Sequence, residues 1–172
     1  MTWKIDSAHT DVGFAVRHMM ISTVRGKFTK VEADVSLDPA KLEQATVTAR
    51  IDAASIDTRE EKRDGHLRSP DFFDVANYPT LTFTSTKVTR SGDDLEVTGN
   101  LKIKDQEHPI TLKGEVTGPS KDPWGNTRVG FSLSGELDRE KFGLTWNQAL
   151  EAGGVLVAKK VKIELEAQLV QS

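Results

Sequence analysis

The chain has 172 residues, 23 Lys and Arg against 26 Asp and Glu, a formal charge of -3 and no Cys. That length fits one domain, residues 1–172, able to bury a core without disulfide or metal staples. The charges are interspersed without a basic run, which argues against a nucleic-acid partner. The missing Cys removes disulfides, thiolate metal sites and a Cys nucleophile.

The first twenty residues, MTWKIDSAHTDVGFAVRHMM, lack the cationic segment, apolar core and small-residue cleavage site of a secretory signal. Nothing approaches the run of about eighteen apolar residues that a membrane span needs. The expectation is a cytoplasmic protein, with a periplasmic location as the alternative if a leader precedes this sequence. Within the stretch, DVGFAVRHM alternates so that Val12, Phe14, Val16 and His18 share one face, the pattern of a half-buried strand. An imidazole at the end of an apolar face calls for a partner, either a backbone carbonyl, water or a ligand head group.

From Val24 to Leu37 the parity changes. Val24, Gly26 and Phe28 share one face, whereas Val31, Ala33, Val35 and Leu37 share the other. A bulge near Thr29 and Lys30 reconciles them; otherwise Phe28 points outward. ATVTARID, Ala45 to Asp52, gives a further strand. TREEKRDGHLRS then reads as a short helix over about residues 59–69: Thr58 and Glu61 have capping-box spacing, and Pro70 forces an end near Ser69. So polar a helix cannot form a core but can cap one. Its Leu67 and the following Phe72 and Phe73 are read as a lid over a barrel end, with Asp64, His66, Asp71 and Asp74 as a solvated rim.

After that helix, TLTFTSTKV places Leu81, Phe83 and Ser85 on one face, and four long amphipathic strands follow. Their dry faces carry Leu95, Val97, Gly99, Leu101 and Ile103; Ile110, Leu112, Gly114 and Val116; Val129, Phe131, Leu133, Gly135 and Leu137; and Val161, Ile163, Leu165, Ala167 and Leu169. Turn signals separate them at Gly92 to Asp94, Asp105 to Pro109, and Pro119 to Asn126. About eight such strands form either a two-sheet sandwich or one sheet closed on itself. Glycines amid aliphatics, with only 6% aromatic residues, favour a closed barrel with interior room for one narrow apolar ligand. The alternative is that the glycines mark bulges and the interior fills itself.

Catalytic readings find little support. No G-x-S-x-G presents a nucleophile, His9, His18, His66 and His108 lack metal-ligand spacing, and there is no phosphate loop or dinucleotide fingerprint.

Five stretches together resemble the YceI-like polyisoprenoid-binding proteins. They are W-x-I-D-x-x-H (Trp3, Ile5, Asp6, His9), F-x-V-x-H-M (Phe14, Val16, His18, Met19), S-T-V-R-G-K-F (Ser22 to Phe28), R-D-x-H-L-x-S-x-D-F-F-D (Arg63 to Asp74) and Y-P-T-L-x-F (Tyr78 to Phe83). Asp122-Pro123-Trp124-Gly125, Gly130-Phe131, Arg139 with Phe142-Gly143, and Gly153-Gly154 extend the likeness over the whole chain. The resemblance implies an all-β, extended eight-stranded antiparallel barrel, lipocalin-like, holding a long isoprenoid or similar amphiphile in its pore, with no cofactor beyond that lipid and no enzymatic activity established for the class. The ligand-binding set expected on these grounds is Phe14, Val16, His18, Met19, Phe28, Leu67, Phe72, Phe73, Phe83, Leu101, Leu112, Phe131 and Leu133, with Asp6 and His9 as further head-group candidates by motif position. A protein whose filled barrel serves interaction, and a hydrolase of a lipid-linked substrate, are the competing functions. Transient membrane contact and a homodimer stay open.

Overall fold

The structure, a computed structural model, describes residues 3–19, 21–147 and 156–171. Gly153 and Gly154 lie outside the described residues. In chain order the elements are β1 Trp3–Ile5, β2 Asp11–His18, β3 Ser22–Phe28, β4 Val31–Ser36, β5 Thr46–Asp52, β6 Ile56–Asp57, α1 Glu61–Arg68, β7 Thr80–Ser91, β8 Asp94–Ile103, β9 Gln106–Lys121, β10 Thr127–Asp138 and β11 Val157–Gln171.

Strands β1, β4, β5, β7, β8, β9, β10 and β11 pair in that order, and β1 also pairs with β11, which closes an eight-strand antiparallel barrel. Three of its staves are broken. β2 continues β1 along β11, β3 precedes β4 and pairs with β2, and β6 continues β5 and pairs with β3. The breaks fall at the tight turns Ser7–His9 and Ala53–Ser55, and at Thr29 and Lys30 between β3 and β4. Asp6 and Asp52 start the two turns by accepting from the backbone N–H of Ala8 and Ala54. Adjacent breaks are tied together, with Thr29 N–H donating to Ser55 O and Asp52 N–H to Lys30 O. The parity change in the sequence is therefore a strand break, not a bulge in one continuous strand. It lets Phe28 and Val31 both reach the interior.

Alternation is plainest in β8, where Leu95, Val97, Gly99, Leu101 and Ile103 are buried while Glu96 and Lys102 face water. The β8–β9 turn is tighter than its composition predicts: Lys104 and Asp105 make it, with Lys104 at a φ of 58°, and Gln106 to Pro109 already belong to β9. Pro109 is tolerated because the β9–β10 ladder begins only at Lys113, so no partner on that side needs its missing N–H.

The dry-face glycines do not open the interior. A Cβ on Gly114 would meet Ser132 O at 1.8 Å, one on Gly135 would meet Thr111 O at 2.6 Å, and one on Gly99 would meet the Phe83 ring at 2.5 Å. They allow strands and rings to approach closely, and the room inside comes from aliphatic walls set apart by closure.

Helix α1 begins later than the capping-box reading has it. Arg59 sits at a φ of 64°, outside the helical basin, so the helix starts after Glu60, whose carboxylate accepts from the N–H groups of Lys62 and Arg63. The two ends of the barrel differ. One is closed by Trp3, by Leu42 on the short turn Leu42–Gln44 and by Leu169, all buried. At the other, β6 pairs only with β3 among the described residues, and residues 58–79 fill the space before β7 begins. No helix is long and apolar enough to cross a membrane among the described residues.

Candidate functional site

The inward residues of the strands enclose a cavity of about 390 Å³. It runs from Leu37, Leu42, Val88, Leu95 and Leu169 at the closed end to His18, Leu67, Phe72, Phe73, Arg139 and Val157 at the helical end. Its size is that of a small-molecule site. Phe14, Val16, His18, Phe28, Leu67, Phe72, Phe73, Phe83, Leu101, Leu112, Phe131 and Leu133 all line it. Met19 does not: one residue on from inward His18, it sits in the β2–β3 turn at a φ of 55° and faces water.

The polar groups of the lining are concentrated at one end. Among the described residues, His18, Arg63, His66 and Arg139 are the ionisable side chains lining it, and no Asp or Glu does. Each reaches the helical end by a separate route. His18 closes β2 opposite Val157, the first residue of β11. Arg63 and His66 lie on the α1 face that also carries Leu67, and Arg63 is fixed by donating through Nε to Thr58 Oγ1 and through Nη2 to Thr58 O. Arg139 follows β10 and continues the inward parity of Phe131, Leu133 and Leu137.

Arg139 is nearly fully buried, and its guanidinium donates to Ala158 O at 2.8 Å, Leu144 O at 2.6 Å, Trp146 O at 2.9 Å and Val157 O at 3.1 Å. It ties residues 144–146 to the start of β11. Burial holds its pKa below the ordinary arginine value, opposed by the charges of Glu140 and Asp138. An interior cation with carbonyl partners, and no carboxylate on the cavity wall among the described residues, makes this end of the tube the electropositive one.

Aromatic contacts build the helical end into a cover. His66 meets Trp146 edge-on at 4.6 Å and Phe72 at 5.1 Å between centroids, Phe72 lies 5.5 Å from Trp146, and Phe73 meets Phe28 edge-on at 5.7 Å. The opposite edge of His66 reaches solvent, where Nε2 lies 2.9 Å from the Asp71 carboxylate. A side chain that lines the cavity and is also 38% exposed marks the mouth.

Several expected polar roles are corrected. Asp64 is no part of a solvated rim: it is buried, and its carboxylate accepts from both the N–H and the hydroxyl of Thr58. His66 belongs to the cover as much as to the water outside. Ser85, which shares the parity of Leu81 and Phe83, sits at a β-bulge, where its hydroxyl accepts from Val47 N–H. Asp6 and His9 lie off the cavity, the Asp6 carboxylate bound by Arg128 at 2.6 Å and His9 at 2.8 Å. The sequence reading also missed Arg63, Arg139 and Trp146. Strand parity pointed to Arg139, and the four-residue spacing from Arg63 to Leu67 pointed to Arg63; nothing local marked Trp146.

Fold and cavity together define a lipocalin-like antiparallel barrel with an apolar interior and a covered mouth at one end. The chain belongs to the YceI-like family, whose domain model matches residues 3–169. A UPF0312 protein of Staphylococcus epidermidis is 40% identical over 96% of this chain and 95% of its own. The crystal structure of Burkholderia cenocepacia BcnA superposes with a TM-score of 0.82 at 26% identity, covering 95% of this chain and 98% of that one. A polyisoprenoid binding domain from Saccharophagus degradans, implicated in plant cell wall breakdown, shares the fold with a TM-score of 0.73 at 14% identity, covering 100% and 99%.

Proposed function

We propose that the protein binds one long-chain polyisoprenoid or similar amphiphilic lipid, tail toward Leu42 and Leu169 and head toward His18, Arg63, His66 and Arg139, for carriage or sequestration. The observation that carries this reading is the one-ended polarity of the cavity: aliphatic and aromatic walls along its length, with imidazoles and guanidiniums gathered at the mouth. Membership of the YceI-like family and the polyisoprenoid-binding description of the Saccharophagus degradans domain support the ligand class. The magnitudes are sufficient, since ten buried methylenes contribute about 8 kcal/mol before the costs of ordering, the scale of micromolar binding. Groups that donate hydrogen bonds suit a head bearing acceptor oxygens, and they set orientation more than affinity.

Mass spectrometry of a solvent extract of the purified protein should find a stoichiometric prenyl or related lipid. Leu133 faces the cavity from the middle of β10. The Leu133→Trp variant should keep the far-UV spectrum of a folded barrel and lose uptake of a fluorescent prenyl probe. A folded variant that binds the probe as tightly as the parent does would overturn the assignment of the cavity, and turnover of an added lipid ester would replace carriage by hydrolysis.

A further inference from the structure

Among the described residues, two large apolar side chains stand in water at the helical end. Ile21 is 77% exposed and Met19 is 44% exposed, both on the turn that joins β2 to β3. The turn is held by its backbone, with Ile21 N–H donating to His18 O, and by the Ser22 hydroxyl, which donates to the same carbonyl. Neither apolar side chain is needed to form it, and turns of this kind ordinarily carry Gly, Asn or Asp. Exposed apolar groups without a structural task mark a contact surface. Their position gives that surface a meaning, because Met19 is the residue next to His18, which lines the cavity mouth. The third exposed large apolar residue among the described ones, Trp124 at 80%, belongs to the β9–β10 turn at the closed end, away from the mouth.

The tip has cationic surroundings. Arg17 faces outward one position before His18, its Nη1 donating to Thr23 Oγ1. Lys159 and Lys160 lie on β11 between the residues paired with His18 and Val16, Lys159 facing Glu140 at 3.4 Å, and Arg63 stands at the mouth itself. Such a rim suits an anionic surface. Two side chains on one turn fall far short of the roughly 800 Å² per partner that a stable protein interface buries. They are sufficient for shallow insertion into a fluid apolar layer.

We propose that the β2–β3 turn inserts Met19 and Ile21 into a lipid bilayer and seats the barrel mouth on the leaflet from which the ligand enters. The inference rests on the lipid-binding reading and adds the partner and the route. The test uses flotation with vesicles of phosphatidylcholine alone and of phosphatidylcholine with phosphatidylglycerol. The parent should bind the anionic vesicles more strongly, and the Met19→Ser/Ile21→Asp variant should partition at least roughly tenfold more weakly, as expected for losing two inserted apolar side chains. Transfer of a fluorescent prenyl probe to vesicles should slow by a similar factor while probe binding in vesicle-free solution stays at the parent level. In Ile21→Trp, the new indole emission should shift to the blue with vesicles and be quenched by brominated lipid. Equal partitioning of the double variant, or an indole that neither shifts nor is quenched, overturns the proposal. So does a parent dimer that the double variant dissociates, which would assign the surface to a second copy of the chain. A parent that partitions through these residues but takes up no probe overturns the lipid-binding reading and leaves the membrane contact standing.

Discussion

Arg128 holds two carboxylates from opposite parts of the chain. Its Nη1 donates to Asp6 at 2.6 Å and its Nε to Asp122 at 2.8 Å, so the first strand break and the Asp122 to Asn126 turn are fixed to the same point on β10. The guanidinium, joined at Asp6 by His9, pulls both carboxyl groups from the ordinary 3.8 down to about 2. A carboxyl group whose folded-state pKa is depressed adds stability that is fully present above its unfolded value and is lost as pH falls through the folded one. The contribution therefore stands above about pH 4 and fades toward about pH 2. Arg128→Met should lower the melting midpoint near neutral pH, and the gap to the parent should narrow as pH falls through that window. Thermal unfolding at stepped pH measures it, and a gap of constant size down to pH 2 would remove this network from the stability of the protein. Residue type alone does not separate such anchors from ligand contacts: Asp6, His9 and Asp64 carry the chemistry of a site yet fasten turns and a helix.

Close approach between elements follows the same logic on a larger scale. A Cβ on Gly26 would meet the Phe14 ring at 2.5 Å, and the ring covers that glycine across the β2–β3 ladder much as Phe83 covers Gly99 across β7–β8. Gly114 is stricter, because its neighbour is the Ser132 carbonyl and not a ring that can rotate. Gly114→Ala should cost about 1–3 kcal/mol in chemical denaturation through overpacking, and a variant as stable as the parent would contradict the β9–β10 spacing. Strands β8 to β11 were legible in the sequence because each keeps one parity over its length, and that rule set Phe131 and Leu133 on the inner face; Arg139, which carries the same parity one step past β10, was missed. The broken staves were not, since what fixes them is non-local: the bonds from Thr29 to Ser55 and from Asp52 to Lys30 join positions more than twenty residues apart in sequence. Met19 was misplaced because neighbours in a motif point to opposite faces where the chain is extended, and here the chain also turns. The electropositive mouth was out of reach, for it is assembled from β2, α1, the turn after β10 and residue 146, which only closure brings together.

The two ends of the whole molecule are also unequal, which the proposed binding of a lipid requires if the ligand is to enter and be held. At the closed end Trp3, Leu42 and Leu169 pack as core. At the mouth, the span between β6 and β7 is filled by residues 58–79 instead of by a ladder; Leu67 lines the cavity there, Phe73 packs on Phe28 and Phe72 on Trp146. Side chains can yield where backbone ladders cannot, so under the proposed lipid-binding function exchange of ligand is expected at this cover. Phe72 is 6% exposed, and truncating it together with Phe73 removes the cover without touching any ladder. The Phe72→Ala/Phe73→Ala variant should lose roughly 3 kcal/mol or more of stability and release a bound prenyl probe faster, with smaller effects on tail affinity because the walls from Phe83 to Leu133 are intact. Asp71→Asn serves as the control: it keeps the rings, alters only the solvent-side partner of His66, and should leave the dissociation rate close to that of the parent. Stopped-flow dissociation of the probe decides between them. Fast release from Asp71→Asn with unchanged release from the double alanine variant would move the gate from the rings to the His66–Asp71 pair and reopen a chemical role for this segment.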